Sequence, residues 1–316
     1  MRSLFFIALI CFGPVCLAQT ESNAPIEQKT ETLIETNTTE TDEPAEPSTK
    51  AQASLRFKDG SYYLGDTADG QMNGRGILYN KEGKVVFEGG FANGAPQGDG
   101  IYYYPNGKRY EGPMLSGKRN GKGTLYNLDN EPIYQGNYEN GQMHGFGNRL
   151  YESGDRYQGE FKNNMAHGNG TYTFIDGRIF EGEFADGVFH GYGTFYYAKD
   201  SIKYQGEYID DKMDGHGTYN YADGSYYEGN FRQGKKHGKG SYHYPDESCY
   251  TGNFEDGQRH GTGTFVFTDG TSYEGEWMNN TRHGNGRELD VDGIVIQEGI
   301  WQHDRYVGES LDIEEK

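Results

Sequence analysis

From Tyr63 onward the chain repeats every 23 or 24 residues, and a Tyr or Phe marks the register at positions 63, 87, 110, 134, 157, 180, 204, 227, 250 and 273. The steps between these markers are 24, 23, 24, 23, 23, 24, 23, 23 and 23 residues. So regular a short period restricts the chain to many copies of one small unit. Such a unit cannot bury its apolar face alone and must lean on its neighbours. Arrays of this kind offer a long surface more readily than a single pocket.

One unit is clearest in Tyr157-Gln-Gly-Glu-Phe161, His167-Gly-Asn-Gly170 and Thr171-Tyr-Thr-Phe174, closed by Asp176-Gly177. Aromatic residues alternate with small or polar ones, which is the period of a β-strand. The two strands are joined by a Gly-rich connection, and Asp-Gly signals a hairpin turn, so each unit reads as one β-hairpin. Two glycine slots recur. Gly159 has counterparts that include Gly182, Gly206, Gly229, Gly252 and Gly275, and no other residue fills this slot. A strand glycine of this sort marks a close approach to the backbone, and a neighbouring aromatic ring is expected to lie over it. Five residues later the slot holds only Gly, Asn or Asp, as at Asn164 and Asp211, which predicts a turn with positive φ.

The pattern Tyr-Glu-Gly-Glu-Phe, a Gly, then His-Gly-x-Gly-Thr resembles the MORN (membrane occupation and recognition nexus) repeat. The resemblance covers residues 63–296 as ten units, with a partial eleventh at Gln297–Trp301 and a half unit at Leu55–Tyr62. It implies an all-β fold, an elongated, twisted antiparallel sheet of about ten consecutive hairpins. The third unit departs most, with Pro113 and Met114 where Glu and Phe are typical, so distortion is expected there.

The ends read differently. Residues 1–18 carry Arg2, an apolar run from Leu4 to Phe12, and Cys16-Leu17-Ala18, which reads as a signal peptide cleaved after Ala18. That predicts export to a periplasm or the medium. Residues 19–53 hold eight acids against Lys29 and Lys50 with almost no aromatics, and they read as a disordered acidic linker. The array proper is assigned to residues 54–304, and residues 305–316 to an acidic tail. With Cys11 and Cys16 in the signal, Cys249 is the single cysteine of the mature chain, so no intramolecular disulfide can form. Net charge is −19, and loss of Arg2 makes it −20, a balance that argues against nucleic acid. Asn37, Asn169 and Asn279 begin Asn-x-Thr sequons that matter only in a eukaryotic secretory pathway.

No residue stands out as catalytic. His144, His167, His190, His237, His260 and His283 share one slot, but residues two strands apart are separated by about 10 Å and cannot share an ion. A hydrogen-bonding role in the connection is expected for them. Asp176, Asp223, Asp246, Asp269 and Asp292 are explained by turn chemistry. Active sites break a repeat's symmetry, and these residues obey it, so neither an enzyme nor a cofactor is expected.

The departures from the repeat are more telling. Lys118, Arg119 and Lys122 form one basic connection, and Arg232, Lys235, Lys236 and Lys239 another, five units or about 50 Å away. They are candidate contacts for an acidic partner or anionic lipid headgroups. Ile294, Ile296, Ile300 and Trp301 make an apolar strand expected near a sheet edge, a candidate for homodimer contact. The leading expectation is an exported, non-enzymatic scaffold that binds a protein partner or itself. Membrane-surface binding is an alternative that the family name invites, and glycan binding by tyrosines such as Tyr103, Tyr104, Tyr196 and Tyr197 is another.

Overall fold

The structure, a computed structural model, describes residues 53–198 and 201–309. Within these residues the chain forms 24 β-strands and no helix. Consecutive strands pair antiparallel, from Ala53–Arg56 against Tyr62–Ala68 at one end to Val295–Gln302 against Arg305–Gly308 at the other. One open antiparallel sheet results, in hairpin order, as the repeat predicts.

The local reasons are visible in the fifth unit. The strand Arg156–Lys162 alternates exposed and buried residues along its whole length. Asn163 and Asn164 follow with φ of 52° and 72°, and Lys162 faces Met165 across them. This is a two-residue type I′ turn, whose left-handed residues Asn and Gly tolerate best. The slot predicted to have positive φ is its second residue. The first residue is equally left-handed, even where Ser116, Gln233 or His303 fills it.

The Gly-rich connection is not a loop. His167 to Gly170 lies inside the strand Met165–Thr173, where the register jumps from Gly159↔Gly170 to Glu160↔His167. Two extra residues are absorbed there as a bulge. The second turn forms at Asp176-Gly177, where the Gly177 N–H donates to the Phe174 carbonyl at 3.0 Å.

The bulge creates the core. Gly159 and Gly170 face each other across the ladder, and the Tyr157 ring lies flat over both. A Cβ on Gly170 would sit 2.5 Å from Tyr157 Cε2, so only glycine admits the ring. The Tyr157 hydroxyl then donates to the Glu160 carbonyl at 2.9 Å, beside the register jump. Tyr63, Tyr110, Tyr134, Tyr204, Tyr227, Tyr250 and Tyr273 each donate to the carbonyl three residues on in the same way. Phe87 and Phe180 fill the slot without a hydroxyl.

Between units the rings meet edge to face. Tyr157 contacts Phe161 at 5.0 Å and Phe184 of the next unit at 4.8 Å. The same alternation runs on to Tyr273 and Trp301. Stability therefore passes from unit to unit along one buried aromatic ladder.

One expectation about boundaries is met and one needs revision. In the third unit the return strand is broken into Lys118–Arg119 and Gly121–Tyr126, consistent with the distortion expected beside Pro113. At the C-terminus, Arg305–Gly308 is a strand and not part of a tail. Val295–Gln302 is thus the penultimate strand, and the outer strands at both ends are only four residues long. Short edge strands leave little unpaired backbone for another chain. The leader, most of the acidic linker and Asn37 lie outside the described residues.

Candidate interaction face

The two faces of the sheet differ because the strand period is two. One face carries the buried ladder and, flanking it, half-buried rings such as Tyr151, Tyr172, Tyr221, Tyr242 and Phe265, with Phe174, Tyr244 and Phe267 packed against Tyr172, Tyr242 and Phe265. The other carries Gln158, Thr171, Glu181 and their counterparts, with Phe146 and Tyr192 exposed on it. No second sheet or helix covers the ring face among the described residues.

The ring face also bears cations. Lys236 stands opposite Phe231, and its Nζ lies 4.3 Å from the Tyr242 centroid and 5.3 Å from that of Phe254. Arg259, one unit on, covers Trp277 at 4.3 Å, and Arg282 covers Trp301 at 4.2 Å. Arg119 takes the same slot over Tyr138 at 4.5 Å. A guanidinium or ammonium placed over a ring face is attracted by the ring.

These cations are not equally neutralised. Arg282 pairs with Glu288 and Asp304. Arg259 donates to the Asn280 carbonyl at 2.7 Å and has no carboxylate partner among the described residues. For Lys236, burial lowers the ammonium pKa to about 8, and the positive charge of Arg259 adds to the effect. No described carboxylate offsets it.

The two basic connections read from the sequence are therefore not two patches. Strand alternation sends Arg119 and Lys236 to the ring face, while Lys122 and Lys239, opposite Asn137 and Asn253, go to the other. Lys118 and Arg232 are exposed, and Lys235 is held by Asp256 at 3.2 Å. Arg259 and Arg282 escaped the sequence reading, although they stand 23 and 46 residues after Lys236 in the same slot.

The remaining candidates fall as follows. Ile294 and Ile296 are exposed, but Trp301 is buried between Tyr273, Arg282 and Tyr306, so it is no edge residue. The histidine slot has no uniform hydrogen-bonding role. His144 and His260 approach Glu139 and Glu255 at 3.4 Å, and His190 lies 3.9 Å from Asp210, whereas the buried Nδ1 of His167 and of His283 has no partner. His237 sits in the equivalent bulge. The acidic turns do serve the turns: Asp223, Asp246 and Asp269 accept from the N–H and hydroxyl of Ser225, Ser248 and Thr271. Those bonds hold the three carboxyls below the usual range. No group of three His, Cys, Asp or Glu among the described residues is placed to hold a metal ion. Tyr103 is tied to Glu88 at 2.8 Å, while Tyr197 is exposed.

No curated protein sequence matches this chain. Among solved structures, it is similar to the TCP10 domain of Danio rerio CPAP in complex with a STIL peptide, at 14% identity over 79% of this chain and 100% of that one, with a TM-score of 0.26. The TCP domain of a Drosophila melanogaster protein, in complex with a proline-rich motif, gives 12% identity, 83% and 97% coverage and a TM-score of 0.22. A Bacteroides caccae protein of unknown function gives 10%, 73% and 92%, and 0.18. TM-scores this low fix neither a shared overall arrangement nor a ligand. The family profile is decisive: the MORN repeat matches nine consecutive segments from 87–109 through 134–156 to 273–295. With the hairpin order and the glycine-seated rings already described, the chain belongs to the MORN-repeat family.

Proposed function

We propose that this protein is a non-enzymatic scaffold that docks a protein partner on its ring face. The observation that carries the reading is an aromatic face left open by a single-layered sheet and studded with cations over rings. Apolar faces of sheets are normally covered by a second layer, and rings with arginines are the side chains that anchor protein contacts best. The opposite face is mainly polar and carries fewer such pairs, as at Arg56 over Tyr62 and Arg109 over Tyr126. The reading includes export: residues 1–18 act as a cleaved signal, which N-terminal sequencing of the mature chain from Gln19 would verify.

Peptide display against the purified full chain tests the docking reading. Peptides enriched on the native protein should fail on an Arg259→Glu, Phe267→Asp variant whose near-ultraviolet spectrum is native. Absence of enrichment, or peptides indifferent to these changes, would remove the ring face from the function.

A further inference from the structure

One ring-face position breaks the symmetry of the repeat toward its C-terminal end. It holds the apolar residues Met72, Pro96, Met143, Ala166, Phe189 and Met213, and an isolated Arg119 between Pro96 and Met143. In units eight, nine and ten it holds Lys236, Arg259 and Arg282 in succession. Arg282 is neutralised by Glu288 and Asp304, whereas Lys236 and Arg259 have no carboxylate partner among the described residues. The acids of the surrounding turns are engaged elsewhere. Asp214 accepts from the Gln233 N–H at 3.0 Å, Asp246 accepts from Ser248, Asp256 holds Lys235, and Glu255 lies 3.4 Å from His260. Both cations are half-buried, and a charge in that position without a counter-ion is costly. Other units show that a methionine fits the same slot, and a local rule broken at a cost to folding marks a functional position.

The surroundings of the two charges define what could complete them. Their strands, Lys235–His243 and Gln258–Val266, are two apart in the sheet, which spaces them by about 10 Å. Beside them the rings of Tyr221, Tyr242, Tyr244, Phe265 and Phe267 form a continuous strip, with successive centroids 5.4, 4.6, 5.7 and 4.8 Å apart. Lys236 Nζ lies 4.3 Å from the Tyr242 centroid, and the Arg259 guanidinium lies 5.3 Å from that of Phe265. The row of charge and the strip of rings therefore run side by side. A ligand that covers both must carry an acidic edge next to an apolar one.

We propose that units eight and nine hold an acidic, amphipathic segment of a partner protein, with two carboxylates about 10 Å apart paired to Lys236 and Arg259 and apolar side chains on the ring strip. The proposal rests on the ring face being a docking surface, and it adds the charge that the docked segment must carry.

Fluorescence anisotropy on the full-length chain, with a labelled synthetic copy of its tightest display peptide, tests the proposal. That peptide should carry acidic residues at two or more positions. Amides in place of those acids, or Lys236→Gln with Arg259→Gln in the protein, should weaken binding by at least about thirtyfold. Lys239→Gln, on the opposite face, should leave it within about twofold. Charge reversal separates lost pairing from lost folding: a Lys236→Glu, Arg259→Glu variant should reject the original peptide and bind one with lysine in place of its acids. A tightest peptide without acids, one indifferent to Lys236 and Arg259, or a reversed pair that does not bind overturns the proposal. So do phosphatidylserine vesicles that engage these two cations where no peptide does. A peptide of either of the first two kinds that still loses its binding to a Phe267→Asp variant would leave the docking reading standing and remove only its preference for acids.

Discussion

Gly170→Ala isolates the contact on which every unit is built. The added Cβ would lie 2.5 Å from Tyr157 Cε2, at least about 1 Å inside the optimal carbon–carbon separation of about 3.5–4.0 Å. Backbone on both sides of the glycine pair prevents the strand from giving way, so the ring must leave. Tyr157 is 1% exposed, and it would lose its edge contacts to Phe161 and Phe184 and the hydrogen bond to Glu160. Ejecting a ring of this size from a packed site costs about 3 kcal/mol. The hydroxyl adds about 1 kcal/mol, for a total near 4 kcal/mol. In a Tyr157→Ala background the space is already empty, and Gly170→Ala should then cost less than about 1 kcal/mol. The coupling measured by a double-mutant cycle in urea is therefore about 3 kcal/mol. Additive effects, or a single-mutant cost below about 1 kcal/mol, would refute the account of the glycine slot.

Other perturbations have definite signs. Gln233→Asn should stabilise by about 0.5–1 kcal/mol in urea melts, because Gln233 holds φ of 50° in a type I′ turn that Asn tolerates better. Burial pushes the hydroxyls of Tyr110, Tyr134 and Tyr273 up to about 12, above an unfolded value near 10. Their contribution is fully present below pH 10 and is lost as pH rises toward 12, so the urea midpoint should drop between pH 9.5 and 11.5. Lys236 has the opposite sign: its folded pKa is lowered, so its charge opposes folding below pH 8 and the penalty fades as pH climbs from 8 toward 10.5. Lys236→Met, the residue found in the same slot at Met143 and Met213, should raise stability at pH 7 by about 1 kcal/mol and flatten that slope. Removing residues 305–316 strips Tyr306 from Trp301, and the tryptophan emission should shift to the red.

The fold was legible because the repeat overdetermines it. Alternation at Tyr157, Gly159 and Phe161 gave the strands, the Gly/Asn/Asp slot gave the turn, and the unvarying glycines gave the ring seat. The bulge was not legible, since His167-Gly-Asn-Gly170 has the composition of a loop and only the pairing reveals a strand carrying two extra residues. The face of each cation was hidden for the same reason. Lys235 and Lys236 are adjacent in sequence, yet pairing with Arg232 and Phe231 sends them to different surroundings. The closing strand Arg305–Gly308 is too short to show a period, so Trp301 looked like an edge. Arg259 and Arg282 were within reach of a strict 23-residue alignment to Lys236, had that slot been followed as closely as the glycines.

Oxidative footprinting of the full chain with its tightest display peptide tests the central claim most directly, because it distinguishes the two faces of one sheet. The account predicts that bound peptide suppresses oxidation of Tyr221, Tyr244 and Phe267 on the ring face, while Phe146 and Tyr192 on the polar face stay reactive. Protection of Phe146 and Tyr192 with the ring face unchanged would place docking on the wrong side of the sheet and contradict it.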